Sequence, residues 1–202
     1  MSIASELTTL RDRAWTTSGS RYNAARRLRT RSRLSLATIS LISALGVAIP
    51  LLLASGRFGP DRENLALFSS ILSLFILVVA VIEGASGFDA KADTLFRSGE
   101  LLNAFRARVN VVLCDSTQHS IAALQELTDE YERLKESCPI NHEVVDFRLL
   151  RADHPSDYGL SESAWRSFFS RVHYFAYSTW WLLLISVIAV VGLWMALSAA
   201  GG

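Results

Sequence analysis

Three long stretches of this chain carry no Asp, Glu, Lys or Arg, whereas the remaining sequence is densely charged. They run over residues 34–56, 64–82 and 172–202. About 20 apolar residues in a helix cross the hydrocarbon core of a bilayer, so each stretch is long enough to span it. Three such helices buried in a soluble protein would leave too little amphipathic chain to cover them. The sequence therefore predicts an integral membrane protein.

The alternation of uncharged and charged segments predicts an all-α fold with a transmembrane helical hairpin. Glycines and a proline between Gly56 and Asp61 predict a tight turn between the first two spans. Gly19, between two serines, is expected to interrupt the N-terminal helical segment, and Ser161 is expected to cap the helix that leads into the third span. We expect a basic helical segment at 1–33, a transmembrane hairpin at 34–87 with spans at 34–56 and 64–84, a helical hairpin with a connecting loop at 88–171, and a third span at 172–200.

Arginines crowd the segment before the first span, and this distribution predicts the orientation of the chain. The turn after that span balances two arginines against two acids. The positive-inside rule then places the N-terminus and residues 83–171 in the cytoplasm and the C-terminus outside the inner membrane. The run is either a topology anchor or a helix lying on anionic lipid; it comprises Arg26, Arg27, Arg29, Arg31 and Arg33. The formal net charge of only +1 gives no information about nucleic acid, and we expect no direct nucleic-acid binding.

Small residues recur at spacings of three and four along the second span, which predicts close packing against another membrane helix. Glu83, at the end of this span, has three possible roles: a solvated charge at the boundary, a partner for an arginine, or a group lining an aqueous path. The candidate packing or pore residues are Ser69, Ser73, Ala80, Glu83, Gly84 and Gly87.

A heptad pattern follows the second span and predicts that this span continues as one long helix beyond the membrane. A break near Asp115 separates it from a second amphipathic helix that ends before Pro139. The two apolar stripes predict either a hairpin that folds back on itself or a seal between protomers. The candidate assembly residues are Leu95, Leu102, Phe105, Val109, Leu124 and Tyr131.

The sequence contains no motif that indicates catalysis. The four histidines have no metal-site spacing, and no phosphate-binding loop or nucleophile elbow is present. Cys114 and Cys138 lie 24 positions apart in a segment expected to be cytoplasmic, so we expect unpaired thiols in the core. We therefore expect a protein that is not an enzyme and uses no cofactor or metal.

Two short segments carry a resemblance to a known family. They are the run Tyr22–Leu28 before the first span, and Asn141, His142 and Asp146 after the helical hairpin. With the transmembrane hairpin between them, they resemble the SLATT family, the membrane effectors associated with SMODS nucleotidyltransferases and SLOG domains in bacterial conflict systems. The resemblance covers nearly the whole chain, although the third span departs from the family's basic two-span pattern.

The resemblance implies a membrane effector of antiviral defence. Such an effector would oligomerise, form a pore or disrupt the inner membrane, and arrest or kill the cell. Its trigger would be an upstream sensor, such as one that makes a nucleotide second messenger or one that is built around a reverse transcriptase. The alternative is a membrane-anchored scaffold or signalling subunit that recruits a cytoplasmic partner through its coiled helices.

Overall fold

The computed structural model describes residues 2–54, 62–159 and 164–199. These residues form α-helices and two 3₁₀ turns, with no strand in the described ranges. The α-helices are α1 (Ile3–Ala54), α2 (Arg62–Ser86), α3 (Phe88–Cys114), α4 (Ile121–Glu136), α5 (Val144–Asp153) and α6 (Ala164–Ala199). Three of the described helical segments are long and apolar enough to cross a membrane. The prediction of an all-α membrane protein is therefore confirmed.

The chain divides into two compact units. We call Met1–Arg29 with Asp89–Ala176 the helical unit, and Thr30–Phe88 with Tyr177–Gly202 the membrane unit. Helices α1 and α6 contribute residues to both units.

Three helices build the apolar core of the helical unit. Leu7, Leu10 and Ala14 of α1 are buried against residues of α3 and α4, including Phe105 and Tyr131. The rings of Phe105 and Tyr131 lie 6.0 Å apart between centroids, within the range where aromatic pairs attract. The heptad face of α3 thus packs against α4 within one chain, and α1 is the third helix of this core.

Gly19 does not interrupt α1, contrary to the sequence prediction, because the helix runs through it without a break. A Cβ at this position would come within 2.7 Å of the Leu150 side chain. Gly99 on α3 plays a similar part, since a Cβ there would lie 2.9 Å from the Tyr22 ring. Both glycines therefore allow close packing inside the helical unit.

The membrane unit buries one face of α2 and exposes the opposite face. Leu65, Ser69, Leu72 and Ile76 are buried, and they lie on one side of the helix by their spacing. Leu72 and Ile76 pack with Ile42 of α1 and Ala189 of α6. The exposed face of α2 is apolar and suits contact with lipid chains; it includes Leu67, Ile71, Leu74, Val78, Val81 and Ile82.

The second span and the following helix are separate elements, which corrects the prediction of one long helix. Helix α2 ends at Ser86 and α3 begins at Phe88. Between them Gly87 has φ +61°, a left-handed conformation that glycine adopts without strain. The predicted turn at 56–61 and the predicted N-cap at Ser161 lie outside the described residues.

Candidate functional sites

A buried, bidentate ion pair joins α1 to α5 in the helical unit. Arg27 donates from Nε to Oδ1 of Asp146 and from one terminal nitrogen to Oδ2, both at 2.9 Å. The side chains of Arg27 and Asp146 are only 9% and 0% exposed. Two parallel charge-assisted hydrogen bonds fix both the distance and the orientation of the groups.

Local structure at the start of α5 holds Asp146 in place. Asp146 is the third residue of this helix, and its carboxylate also accepts the backbone N–H of Glu143 at 2.8 Å, as in a capping box. The Asn23 side chain donates to the Asp146 carbonyl at 3.1 Å. The Tyr174 hydroxyl in turn donates to the Asn23 carbonyl at 2.6 Å. This network connects residues of α1, α5 and α6.

Burial and neighbouring charge shift the pKa values of the titrating groups in this network in opposite directions. Burial by itself lowers the pKa of Arg27, but the hydrogen bonds and charge of Asp146 outweigh it, so the Arg27 pKa is raised. Burial lowers the pKa of His142, while the Asp146 charge opposes that change. The Nδ1 atom of His142 is buried without a hydrogen-bond partner among the described residues. Neutral imidazole is therefore the favoured form of His142.

Arg21 links α1 to both helices of the α3–α4 hairpin. One terminal nitrogen donates to the Lys135 carbonyl at 2.8 Å, and the other donates to the Ser98 hydroxyl. Arg21 is 3% exposed, and burial lowers its pKa. Arg21 thus supplies the last turn of α4 with a hydrogen-bond donor for a carbonyl that has no partner within its own helix.

A second arginine–carboxylate pair lies in the membrane unit. Arg31 of α1 donates to Glu83 of α2 at 3.4 Å. The Arg31 guanidinium also lies 4.2 Å from the Phe88 ring centroid and 5.2 Å from that of Trp181 on α6. Arg31 Nε, Glu83 Oε2 and Trp181 Nε1 are buried without a hydrogen-bond partner in the described ranges. The sequence offered pairing with an arginine as one role of Glu83, and this is the arrangement observed.

The small residues of α2 do not form one uniform face. The Ser69 hydroxyl is buried and donates to the Gly46 carbonyl of α1 at 3.1 Å. Ser73 is exposed, although a Cβ on Gly46 would lie 3.1 Å from its hydroxyl oxygen. Ala80 is half-buried. Gly84 and Gly87 have no atom within 4 Å of an added Cβ, so this end of the stripe is open.

The arginines before the first span have different partners. Arg26 donates to the Asn23 side chain at 2.8 Å, and Arg29 pairs with Asp93 at 2.6 Å. Arg33 is exposed. Arg27 and Arg31 form the ion pairs with Asp146 and Glu83 described above. Four of the five arginines in the basic run therefore make specific side-chain contacts.

The candidate assembly residues lie in the core of the helical unit. Leu102, Phe105, Val109 and Tyr131 are buried in one cluster, and Leu124 packs against it. The fold-back arrangement, one of the two offered by the sequence, accounts for these five, and Leu95 is buried outside that cluster. Asn141 is exposed and accepts the His142 backbone N–H at 2.9 Å.

The cysteines differ from the expectation of core thiols. Both are unpaired, but Cys114 is exposed and only Cys138 is partly buried. Cys114 ends α3, where the chain leaves the packed face of the hairpin. No sequence pattern indicated this exposure.

The packing of α1 into the core and the partners in the two ion pairs were not predicted; for Glu83 an arginine was offered as a partner, but none was named. Leu7, Leu10 and Ala14 do recur at helical spacing, so the amphipathic pattern could have indicated a packed helix. The ion pairs join residues 119 and 52 positions apart, and no local pattern identifies such partners.

The fold defines a helical membrane protein with a charged helical unit and three segments suited to spanning a bilayer. The family described as SMODS and SLOG-associating 2TM effector domain family 5 matches residues 3–195. The chain therefore belongs to this SLATT family, and membership makes it a transmembrane effector of conflict systems. The match extends across the third hydrophobic helix. No curated protein and no solved structure matches the chain significantly.

Proposed function

We propose that this protein is a triggered effector that oligomerises in the inner membrane and permeabilises it, arresting or killing the cell. The N-terminus and the helical unit lie in the cytoplasm in this proposal, and the C-terminus lies outside. An upstream sensor protein or a nucleotide signal acts on the helical unit. Family membership and the excess of arginines before the first span support these points.

The observation that carries the proposal is the tight packing of the three membrane helices around a very small cavity. Residues of all three helices, including Ile42, Ile76 and Ile185, line an apolar cavity of about 10 Å³. A cavity needs roughly 10–15 Å³ to hold even one water. This cavity is too small to carry ions, so in this proposal permeabilisation requires several protomers.

The exposed surface of α2 supports assembly between protomers. Its apolar face is uncovered within one chain, and Gly84 has open space around it. Small residues let membrane helices approach closely enough for backbone packing. We infer that a second protomer packs near Gly84, while Ser69 stays bonded to Gly46 inside its own protomer.

The Arg31–Glu83 pair is the contact we expect to change on activation. Its single bond is 3.4 Å long, whereas Arg27 and Asp146 share two bonds of 2.9 Å. Unpartnered polar atoms remain beside the longer bond, and each costs roughly 1–3 kcal/mol. Separation of α1 from α2 would therefore begin at this weaker contact, leaving Glu83 to face the space between protomers.

A dye that reports membrane potential in growing cells tests this mechanism. We expect Glu83→Gln and Arg31→Gln to depolarise cells without the upstream sensor, because each removes the pair that holds α1 to α2. The exchanged pair Arg31→Glu with Glu83→Arg should restore sensor dependence. Arg33→Gln is the matched control, since Arg33 is exposed and only two positions away.

Two results would contradict the proposal. One is an unchanged membrane potential in cells that express the triggered wild-type protein and stop growing, which would favour the scaffold alternative. The other is a protein that remains monomeric by crosslinking in membranes after triggering. If Arg33→Gln depolarised cells as strongly as Arg31→Gln, the role of the ion pair would be wrong even if the pore exists.

A further inference from the structure

A cavity lined by three arginines lies between α5 and α6 in the helical unit. Its volume is about 270 Å³, and it is lined by Arg148, Arg151, Ala152, Arg166 and Ser170. Small-molecule sites usually have about 300–1,000 Å³. The cavity is therefore of a size for a small charged group.

The arginines of the cavity come from two helices, α5 and α6, that are joined by a hydrogen bond. Arg148 and Arg151 are three residues apart on α5, and Arg166 and Ser170 are four apart on α6, so each pair shares one helix face. The Ser167 hydroxyl donates to the Ala152 carbonyl at 2.9 Å and joins the two helices directly. This bond positions the charged side chains of both helices around the same space.

Two of the cavity's arginines, Arg148 and Arg151, have no carboxylate partner in the described ranges. Asp153 is paired with Arg171 at 3.0 Å. Guanidinium groups that share a small space repel one another, and an anion bound between them relieves that repulsion.

Arg151 is held in a defined orientation. Its guanidinium lies 5.7 Å from the Phe147 ring centroid and 5.6 Å from that of Tyr158, and such cation–π contacts restrict it. Its Nε atom is buried without a hydrogen-bond partner among the described residues. Because Nε is buried, an anion in the cavity would be bound by the terminal nitrogens of this ordered guanidinium.

We propose that this cavity binds a phosphate group. A phosphate monoester carries about −1.5 to −2 charges and three acceptor oxygens, which match several guanidinium donors and the Ser170 hydroxyl better than one carboxylate does. Arg166 precedes the uncharged stretch that begins at Val172 by six positions, about 9 Å along α6. The phosphate can come from an anionic lipid head group or from a soluble nucleotide.

Calorimetric titration of the full-length protein in uncharged detergent tests the site. The probes are short-chain phosphatidic acid, adenosine monophosphate and inorganic pyrophosphate, with short-chain phosphatidylcholine as the zwitterionic control. We expect R148Q/R166Q to weaken binding of the active probe about tenfold or more, because charge-assisted hydrogen bonds are lost. R97Q/R133Q removes the same charge from exposed positions on other helices and should change affinity less than about twofold.

The outcomes separate the sources of the phosphate and can overturn the site. Binding of phosphatidic acid alone identifies a lipid head group, and binding of adenosine monophosphate or pyrophosphate identifies a soluble phosphate. The proposal is wrong if no probe distinguishes the wild type from R148Q/R166Q, or if R97Q/R133Q loses as much affinity. R148K/R166K keeps the charge without the bidentate geometry, so it should bind with intermediate affinity and guards against misfolding of the glutamine variant.

Discussion

The Arg27–Asp146 pair allows a quantitative test of how the helical unit is held together. Replacing Arg27 by Met leaves a carboxylate that is 0% exposed without its partner. Removing one member of a buried ion pair typically costs about 3–5 kcal/mol. For a chain of this size, each kcal/mol lowers the melting temperature by about 2–4 °C. We therefore expect Arg27→Met to unfold roughly 6–20 °C below the wild type.

The double variant separates the ion pair from its other contacts. Asp146→Leu alone strands the Arg27 charge and also loses the bond to the Glu143 N–H, a capping contact worth about 1 kcal/mol. In Arg27→Met with Asp146→Leu neither charge remains, and apolar replacements of buried pairs are often neutral or better. The double variant should then lose only the capping contact, about 2–4 °C.

Circular dichroism of the detergent-solubilised protein measures these melting temperatures. Arg29→Met is the matched control, because its pair with Asp93 is largely exposed and such pairs contribute about 0–1 kcal/mol. If Arg27→Met melts no lower than Arg29→Met, or if the double variant loses the sum of the two single losses, Arg27 and Asp146 do not form a buried, coupled pair.

Two further predictions concern His142 and Cys114. The pKa of His142 is lowered in the folded state, so the unfolded chain binds its proton more readily; stability should be full above the ordinary pKa of about 6.5 and fall below it. His142→Gln should flatten this acid-side loss of stability in thermal melts between neutral and mildly acidic pH, and an unchanged slope would remove His142 as its source. A membrane-impermeant maleimide should modify the exposed Cys114 only after spheroplasts are permeabilised, with most of the signal lost in Cys114→Ser. Modification in intact spheroplasts would place the helical unit outside the cell.

The elements of this fold follow largely from local patterns. The uncharged stretches predicted the three membrane helices because the hydrocarbon core of a bilayer excludes ionised side chains and has a nearly constant thickness. The heptad at Leu95, Leu102 and Val109 predicted a packed helix, and the start of α4 at Ser120 follows ordinary capping chemistry. In each case the signal lies within a few residues of the structure it predicts.

The candidate sites depend on partners that are distant in sequence. In the sequence, Asp146 belonged to a family-like motif and Arg27 to the basic run before the first span, and only tertiary packing makes them a buried pair. Gly19 and Gly87 also show that the local sequence does not determine the structure. Both are glycines near a predicted helix, yet one lies in a helix interior against Leu150 and the other adopts a left-handed conformation. Glycine permits both states, and the surrounding contacts decide between them.

The uninterrupted course of α1 has a consequence for how a signal travels. This helix has 52 residues, about 78 Å at the usual rise, and it contains both Arg27 and Arg31. An axial rotation imposed at Arg27 therefore reaches Arg31, four residues later, almost without loss. The passage from α2 to α3 instead goes through Gly87, which turns with little resistance. Helix α6 also passes between the two units without a break, so we expect torque to be transmitted through α1 and α6 and dissipated at Gly87.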